Sequence, residues 1–447
     1  IRASVASRGL GDVYKRQPSR WPVECGGNRR QKASLGGVFA RDGDPEVVSV
    51  TNGRWNVMTI HRGPGELYLA GTMPSFKGPP PFGWLQKLDP ESLDVISESG
   101  ELPCGEHVWC GAIAAHANGN IMMVNGNYLH SLSPDCEVVR EAKLPVDQAH
   151  NGLIVLSDGT IVTKDLRLEN QGQSTISRLD PDTLELLHKP LILPEGSMGR
   201  IASDRTENGE FIYVPGIEKV WRIAVEPDEL KLDETWCPRY RRIGGSQGLS
   251  WDGCISEDYL WLMDNGDIDS LRAIYGNHPN GRFKAEDPEV LSRLSWQRAA
   301  PWIGQQRLLR FSLWDGSLKE ISPFGAAGGG IIAPPVNVPE HKMCIAWDSI
   351  NGGLAGISTD SEELTLAWKT DVRPTMQPVV FPDSGELVIN DYQNRGDQII
   401  VVDIRSGELI SKVSLGSPLA NGMFLSPGFE RDIYYCSTLT FARVRWR

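Results

Sequence analysis

Residues 150–165 read HNGLIVLSDGTIVTKD, and this stretch decides the fold. It contains an amide residue, an apolar run, a tight turn at Asp158-Gly159 and a second apolar run, the pattern of two antiparallel strands joined by a hairpin. Eight copies of the pattern occur in the 447 residues, beginning near Asn56, Cys110, Asn151, Met198, Gln247, Ile331, Gln377 and Asn421. A strand-based repeat of roughly 40 to 50 residues predicts a β-propeller.

Each copy continues into a third and a fourth strand, so blades of four antiparallel strands are predicted. The turn between these two strands repeats an Asp whose carboxylate can accept from backbone N–H groups just after it, at Asp89, Asp180 and Asp403. The last copy has room for only three strands, and residues 46–51 can supply the fourth. We therefore predict an all-β fold: a single propeller domain over residues 46–447, with eight blades closed by an N-terminal strand. Seven blades is the alternative.

The first residues are interpreted separately. Asp12 to Gln17 resemble a translated sequencing adapter, as in a metagenomic assembly, so we interpret residues 1–17 as an artefact outside the fold. Residues 18–45 form an N-terminal extension. The compartment stays open between periplasmic or secreted and cytoplasmic.

Composition excludes several classes of partner. Forty-five basic and 57 acidic residues give a net charge of -12, which argues against nucleic acid and anionic membrane surfaces. No apolar run reaches the roughly 20 residues that span a bilayer, so a soluble chain is predicted. The eight cysteines contain no CxxC pair, so neither a zinc site nor a redox dithiol is indicated.

One interval breaks the repeat. The distance from Gln247 to Ile331 is about twice the others, and the excess forms an insertion at residues 265–308, between the second and third strands of its blade. Long insertions are often functional, and this one offers a surface for a protein partner. A smaller, proline-rich insertion occupies the same position in the first blade, from Pro74 to Gly83.

The starts of first strands and the ends of second strands share one face of a propeller, at the mouth of its channel. Amide and carboxylate residues recur at these positions, and oxygen-rich sets of this kind suit calcium or another divalent cation. The predicted metal ligands are Asn151, Asp165, Asp264 and Asp391. A cation there could polarise an ester or lactone carbonyl while a neighbouring base activates water.

Other residues near the mouth receive predicted roles. His150 and Asp264 are the catalytic candidates, with His150 as the base. Lys164 and Arg200 could bind an anionic substrate, and Trp109 and Trp296 could form a ligand wall. The structural alternative is that the repeated Asp residues cap turns, that the amides satisfy backbone groups and that His150 is a bonded core residue.

Two resemblances follow from these residues. The phrase His150-Asn151-Gly152-Leu153 resembles the Asn-Gly-Leu motif of SMP-30, gluconolactonase and strictosidine-synthase-like propellers, which implies that Asn151 ligates a catalytic metal. Residues 346–353 are faintly similar to the docking repeat of pyrroloquinoline-quinone dehydrogenase-like propellers, which have eight blades. That resemblance implies a quinone cofactor.

The sequence is therefore compatible with three functions. The first is a metal-assisted hydrolase of small esters or lactones acting at the channel mouth. The second is a non-catalytic propeller that binds a small-molecule ligand or a protein. The third is a quinoprotein-like dehydrogenase.

Overall fold

The computed structural model describes residues 21–75, 80–167, 171–242, 250–266, 304–326, 329–331, 333–349, 351–393, 396–417 and 422–447. Residues 1–17, most of the predicted insertion, Trp296 and the repeat starts Gln247 and Asn421 lie outside the described residues.

The described residues form eight antiparallel sheets, which we number as blades in chain order from the first complete repeat. The first strand of the chain, β1 (Pro45–Thr51), belongs to blade 8. Blade 1 contains β2 (Trp55–His61), β3 (Leu67–Met73), β4 (Phe82–Leu88), β5 (Val95–Glu98) and the short β6 (Leu102–Pro103). Blade 2 contains β7 (Cys110–Ala115), β8 (Ile121–Asn125), β9 (Tyr128–Leu132) and β10 (Val138–Lys143). Blade 3 contains β11 (His150–Val155), β12 (Ile161–Asp165), β13 (Thr175–Leu179) and β14 (Leu191–Ile192). Blade 4 contains β15 (Ala202–Thr206), β16 (Gly209–Pro215), β17 (Val220–Val225) and β18 (Leu230–Asp233).

Blade 5 contains β19 (Ser250–Ser256), β20 (Tyr259–Asp264), β21 (Arg307–Ser312) and β22 (Leu318–Ile321). Blade 6 contains β23 (Val336–Val338), β24 (Met343–Trp347), β25 (Leu354–Ser358) and β26 (Thr365–Thr370). Blade 7 contains β27 (Val379–Phe381), β28 (Glu386–Gln393), β29 (Gly396–Asp403) and β30 (Leu409–Ser414). Blade 8 contains β31 (Gly422–Pro427), β32 (Asp432–Ser437) and β33 (Thr440–Trp446). Two short 3-10 turns occur at Glu24–Gly26 and Pro339–His341.

The ring closes as the sequence predicts. β1 pairs with β33 along its whole length, from Pro45 opposite Trp446 to Thr51 opposite Thr440, so the N-terminal strand is the outer strand of blade 8. The large insertion also emerges where expected, between β20 and β21. The eight-bladed prediction is confirmed.

The hydrophobic core lies between successive blades. One apolar cluster joins blades 3 and 4 through residues such as Ile154 and Ile212, and another joins blades 8 and 1 through Tyr434 and Trp84. The inner three strands of a blade are therefore buried on both faces, which explains their long apolar runs. The eight cysteines, all within the described residues, form no disulfide, and seven of them are buried.

The turn between the third and fourth strands is built on its aspartate. In blade 1, Oδ1 of Asp89 accepts from the backbone N–H groups of Glu91 (2.9 Å) and Ser92 (2.8 Å). Asp180 and Asp403 bind the equivalent groups in blades 3 and 7. These side chains fix the chain reversal in each blade.

Residues 21–34, which we call the channel plug, touch all eight blades from inside the ring. Backbone N–H groups of the blades donate to carbonyl groups of the plug: His61 to Trp21 (2.9 Å), Ala115 to Pro22 (2.7 Å), Ser203 to Asn28 (3.0 Å), Ile255 to Arg29 (2.8 Å) and Val380 to Lys32 (2.9 Å). Side chains of the plug reach the remaining blades: Asn28 donates to Val155 O in blade 3 (2.8 Å), Lys32 to Pro334 O in blade 6 (2.8 Å), and Cys25 packs in the same apolar cluster as Phe424 of blade 8.

The plug contacts different parts of the innermost strands around the ring. In blades 1, 2 and 3 its partner is the last residue of the innermost strand, namely His61, Ala115 or Val155. The opposite end, where those strands begin, is the mouth to which the sequence assigns the candidate site. Among the residues described, no helix has the length and apolar character needed to cross a membrane.

Candidate functional site

The mouth of the channel collects the polar residues that the repeat places there. His150 lies opposite Asp165 across β11 and β12, and Cys110 lies opposite Asn125 across β7 and β8. In blade 5, Ser250 lies opposite Asp264. The described members of the series are all buried: Asn56, Asn125, Asn151, Asp165, Asp264, Asp348, Gln377 and Asp391.

The carboxylates of this series bind groups of their own blades. Asp165 accepts from Nε of Arg167 at 2.5 Å and from the backbone N–H of Thr175. Asp391 accepts from the backbone N–H of Arg373 at 3.0 Å and from Nζ of Lys412 at 3.3 Å. Each carboxylate is thereby held in its own blade.

Asp264 is the most strongly bound of these carboxylates. Its Oδ2 accepts from both Nε (2.9 Å) and Nη2 of Arg307, while Oδ1 has no hydrogen-bond partner among the described residues. Complete burial raises the pKa of Asp264 to about 7, although Arg307 acts in the opposite direction. Arg307 lies on β21, the third strand of blade 5, so this pair ties the root of the insertion to its own blade.

The predicted metal ligands belong to three different blades. Asn151 and Asp165 belong to blade 3, whereas Asp264 and Asp391 are held in blades 5 and 7 by basic side chains. Within the ranges that the structure describes, no group of three His, Cys, Asp or Glu side chains is close enough to hold a metal ion. A divalent cation stays a prediction from the sequence, and no chemical step below depends on it.

His150 has the hydrogen bonding of a neutral imidazole. Its Nδ1 lies 3.0 Å from the carbonyl oxygen of Gln148, which can only accept, so Nδ1 carries the proton. Its Nε2 has no partner in the described part of the chain. Burial lowers the pKa of His150 to about 4, which keeps the ring neutral at physiological pH.

Asn151 uses both ends of its amide. Its Nδ2 donates to Met198 O at 3.0 Å, and its Oδ1 accepts from Nε1 of Trp109 at 3.1 Å. The amide therefore links blade 3 to the residues preceding the first strands of blades 4 and 2. Its carbonyl oxygen keeps a second lone pair beyond the Trp109 contact.

Arg200 lies in the channel between two aromatic rings. Its guanidinium carbon is 5.8 Å from the centroid of Trp109 and 5.1 Å from that of Phe424. The side chain packs against Gly152, where an added Cβ would approach Cβ of Arg200 to 3.1 Å. Gly152 also has φ +84°, a conformation that favours glycine. Glycine therefore suits the position after Asn151 both for its backbone conformation and for the close approach of Arg200.

Below Arg200, a buried charge cluster joins the plug to the blades. We use this name for Glu24, Arg30, Arg200 and Asp252. Arg30 lies 3.1 Å from Glu24 Oε1 and 3.3 Å from Asp252 Oδ2, while Arg200 lies 3.7 Å and 3.6 Å from the same two atoms. The backbone N–H of Arg200 also donates to Oδ1 of Asp252 at 2.6 Å. Burial raises the pKa of Glu24 despite both arginines.

Lys164 lies near this cluster but donates to backbone oxygens. Its Nζ contacts Ser197 O at 2.8 Å and Asp165 O at 3.1 Å, and burial lowers the pKa of Lys164 to about 8. Trp109 and Arg200, two of the predicted ligand-binding residues, thus lie together in the channel. Lys164, predicted for the same role, instead donates to backbone oxygens. Trp296 lies outside the described residues.

Sequence reasoning missed three members of the charge cluster, namely Glu24, Arg30 and Asp252. Glu24 and Arg30 lie in the N-terminal extension, where no strand periodicity indicates burial. Asp252 gave a usable signal, because a lone acid in the buried strand Ser250–Ser256 requires a buried cationic partner.

Comparisons with known proteins agree on architecture. No protein-family model and no curated protein matches the chain. A europium-containing methanol dehydrogenase has a similar structure, with a TM-score of 0.64 and 10% identity over 98% of this chain and 99% of that chain. The quinohemoprotein alcohol dehydrogenase ADHIIG from Pseudomonas putida HK5 has a TM-score of 0.61 and 10% identity, over 99% and 82%.

The Dos1 propeller is similar to nearly the same extent, with a TM-score of 0.60 and 9% identity over 91% of this chain and 96% of that chain. The chain is an eight-bladed β-propeller. At these identities the likeness shows the fold alone, because one propeller scaffold carries unrelated functions.

Proposed function

We propose that the protein hydrolyses small esters or lactones at the channel mouth, with His150 as the general base. The observation that supports this proposal is the protonation state of the imidazole. Its Nδ1 carries a proton that it donates to Gln148 O, its Nε2 has no hydrogen-bond partner among the described residues, and the ring stays neutral. A neutral imidazole with an available nitrogen can accept a proton from water.

The proposed step conserves protons. Nε2 of His150 takes a proton from water as the water oxygen attacks the acyl carbon, and the imidazolium returns the proton to the departing alkoxide. The side chain of Arg200 begins against Gly152, two residues beyond His150, and its guanidinium is the positive charge that we assign to this step. That charge favours the negative charge that develops on the carbonyl oxygen.

A non-catalytic ligand-binding propeller is the second candidate. It is supported by the carboxylates of the mouth, since Asp165, Asp264 and Asp391 each bind basic groups of their own blades. A quinoprotein-like dehydrogenase is the third candidate, and the fold shared with a europium-containing methanol dehydrogenase and a quinohemoprotein alcohol dehydrogenase supports it as well as the hydrolase is supported.

The test is a hydrolysis screen of short-chain aryl esters and five- and six-membered lactones, with and without added calcium. Wild-type protein should hydrolyse at least one class, and His150→Gln should lose about a hundredfold or more in kcat/KM at an unchanged melting temperature. His107→Gln is the matched control, because His107 lies near the same mouth and its ring Nε2 lies 3.2 Å from the carboxylate of Asp147.

Retention of activity in folded His150→Gln would remove His150 from the mechanism. Binding of an ester or lactone without turnover by the wild type would favour the non-catalytic candidate. Activity that requires calcium, and that chelation abolishes, would support the predicted divalent cation in the mechanism.

A further inference from the structure

A cavity of about 580 Å³ lies above blade 1, on the same face as the channel mouth but away from it. Its walls come from the chain just before β2 (Asn52, Arg54), from the end of β3 (Met73) and from the start of β4 (Phe82). Ligand pockets for small molecules have volumes of roughly 300–1,000 Å³, so the cavity is large enough for one such molecule.

The proline-rich insertion of blade 1 builds part of this cavity. Pro74 and Pro80 line it, together with Met73 and Phe82. Proline has a fixed φ and little freedom to lose, so these walls are held in shape before any ligand arrives. The apolar wall is therefore suited to the body of an apolar or aromatic molecule.

The polar wall includes Arg54, whose guanidinium lies near two aromatic rings. Its central carbon lies 6.0 Å from the centroid of Phe82 and 5.9 Å from that of Trp84. The nearest carboxylate oxygen, on Glu98, is 3.6 Å away, too far for a hydrogen bond. Glu98 instead accepts from Nε2 of Gln86 at 2.8 Å.

Arg54 consequently makes no hydrogen bond within the described part of the chain. The N–H groups of a guanidinium match a carboxylate in a bidentate arrangement. Glu98 beside it would repel a second negative charge, so a monoanion is favoured over a phosphate or a dicarboxylate.

We propose that this cavity is a binding site for a small monocarboxylate with an apolar body. The carboxylate pairs with Arg54, and the apolar body contacts Met73, Pro74, Pro80 and Phe82. The site is separate from His150, which lies in blade 3, so this inference does not rest on the proposed hydrolase.

The test is titration calorimetry of the whole chain with 3-phenylpropionate and with its neutral analogue 3-phenylpropionamide. The acid should bind, and the amide should bind at least about tenfold more weakly because it lacks the charge-assisted pair. Arg54→Gln should weaken acid binding by a similar factor and leave amide binding nearly unchanged. Glu98→Gln should strengthen acid binding, because it removes the neighbouring negative charge.

Arg140→Gln is the matched control, since Arg140 is exposed on the outer strand of blade 2 and should not affect either ligand. Circular dichroism and the melting temperature establish that each variant is folded. Absence of acid binding at millimolar concentration, equal affinity for acid and amide, or unchanged acid affinity in Arg54→Gln would each overturn the proposal.

Discussion

Replacing Arg30 with methionine should destabilise the protein more than any other single change in the plug. Arg30 is fully buried and lies 3.1 Å from Glu24 and 3.3 Å from Asp252, both of which are also fully buried. Methionine replaces much of the volume but leaves the two carboxylates with Arg200 as their remaining cation in the cluster. Removing one partner of a buried ion pair costs about 3–5 kcal/mol, so we expect a loss of stability in that range.

The neighbouring residue provides the matched control. Arg29 pairs with Asp204 at 2.6 Å, but its side chain is 19% exposed, so Arg29→Met should cost about 1 kcal/mol or less. Both variants can be compared by urea unfolding followed through tryptophan fluorescence, using the shift in midpoint. A Glu24→Gln change added to Arg30→Met should recover part of the loss, because it removes one of the uncompensated carboxylates. If Arg30→Met is no less stable than Arg29→Met, the charge cluster does not hold the plug.

Three further predictions concern the blades. His150→Gln should have the melting temperature of the wild type near pH 7 and should lose less stability as pH falls from about 6.5 to about 4. The folded pKa of His150 is lowered to about 4, so protonation of the unfolded state costs the wild type up to about 3 kcal/mol across that window, and the two melting temperatures should diverge at low pH. Asp403→Ala should lower the free energy of unfolding by about 1 kcal/mol, because the N–H groups of the blade 7 turn are left to bond with water. Urea unfolding midpoints measure this loss, and a loss beyond about 3 kcal/mol would contradict a role limited to the turn. Gly111→Ala should disrupt blades 2 and 3, since the added Cβ would lie 2.0 Å from His150 O; a variant with wild-type melting temperature would refute that close approach.

The fold could be predicted because its signals are local and repeated. The hairpin of residues 150–165, the Asp89-type turns and the unpaired strand at residues 46–51 each specify a short-range structure, and repetition turns them into a ring. The N-terminal closure followed from the shortage of one strand in the last repeat.

The channel was less predictable because its contents come from a single, non-repeating segment. Glu24 and Arg30 are buried only because the plug passes through a space that the blades create, and nothing in residues 21–34 alternates as a strand would. The carboxylates at the ends of second strands illustrate the converse case. Asp165, Asp264 and Asp391 share a face as the repeat requires, yet each binds a basic partner in its own blade.

Position in the repeat therefore separates two kinds of polar residue in this propeller. Residues that recur, such as the second-strand aspartates, bind basic side chains of their own blades, whereas His150 and Arg200 occur at one position each. This arrangement makes the two roles separable by experiment: Arg30→Met should lower stability, whereas His150→Gln at neutral pH should leave stability intact and remove activity.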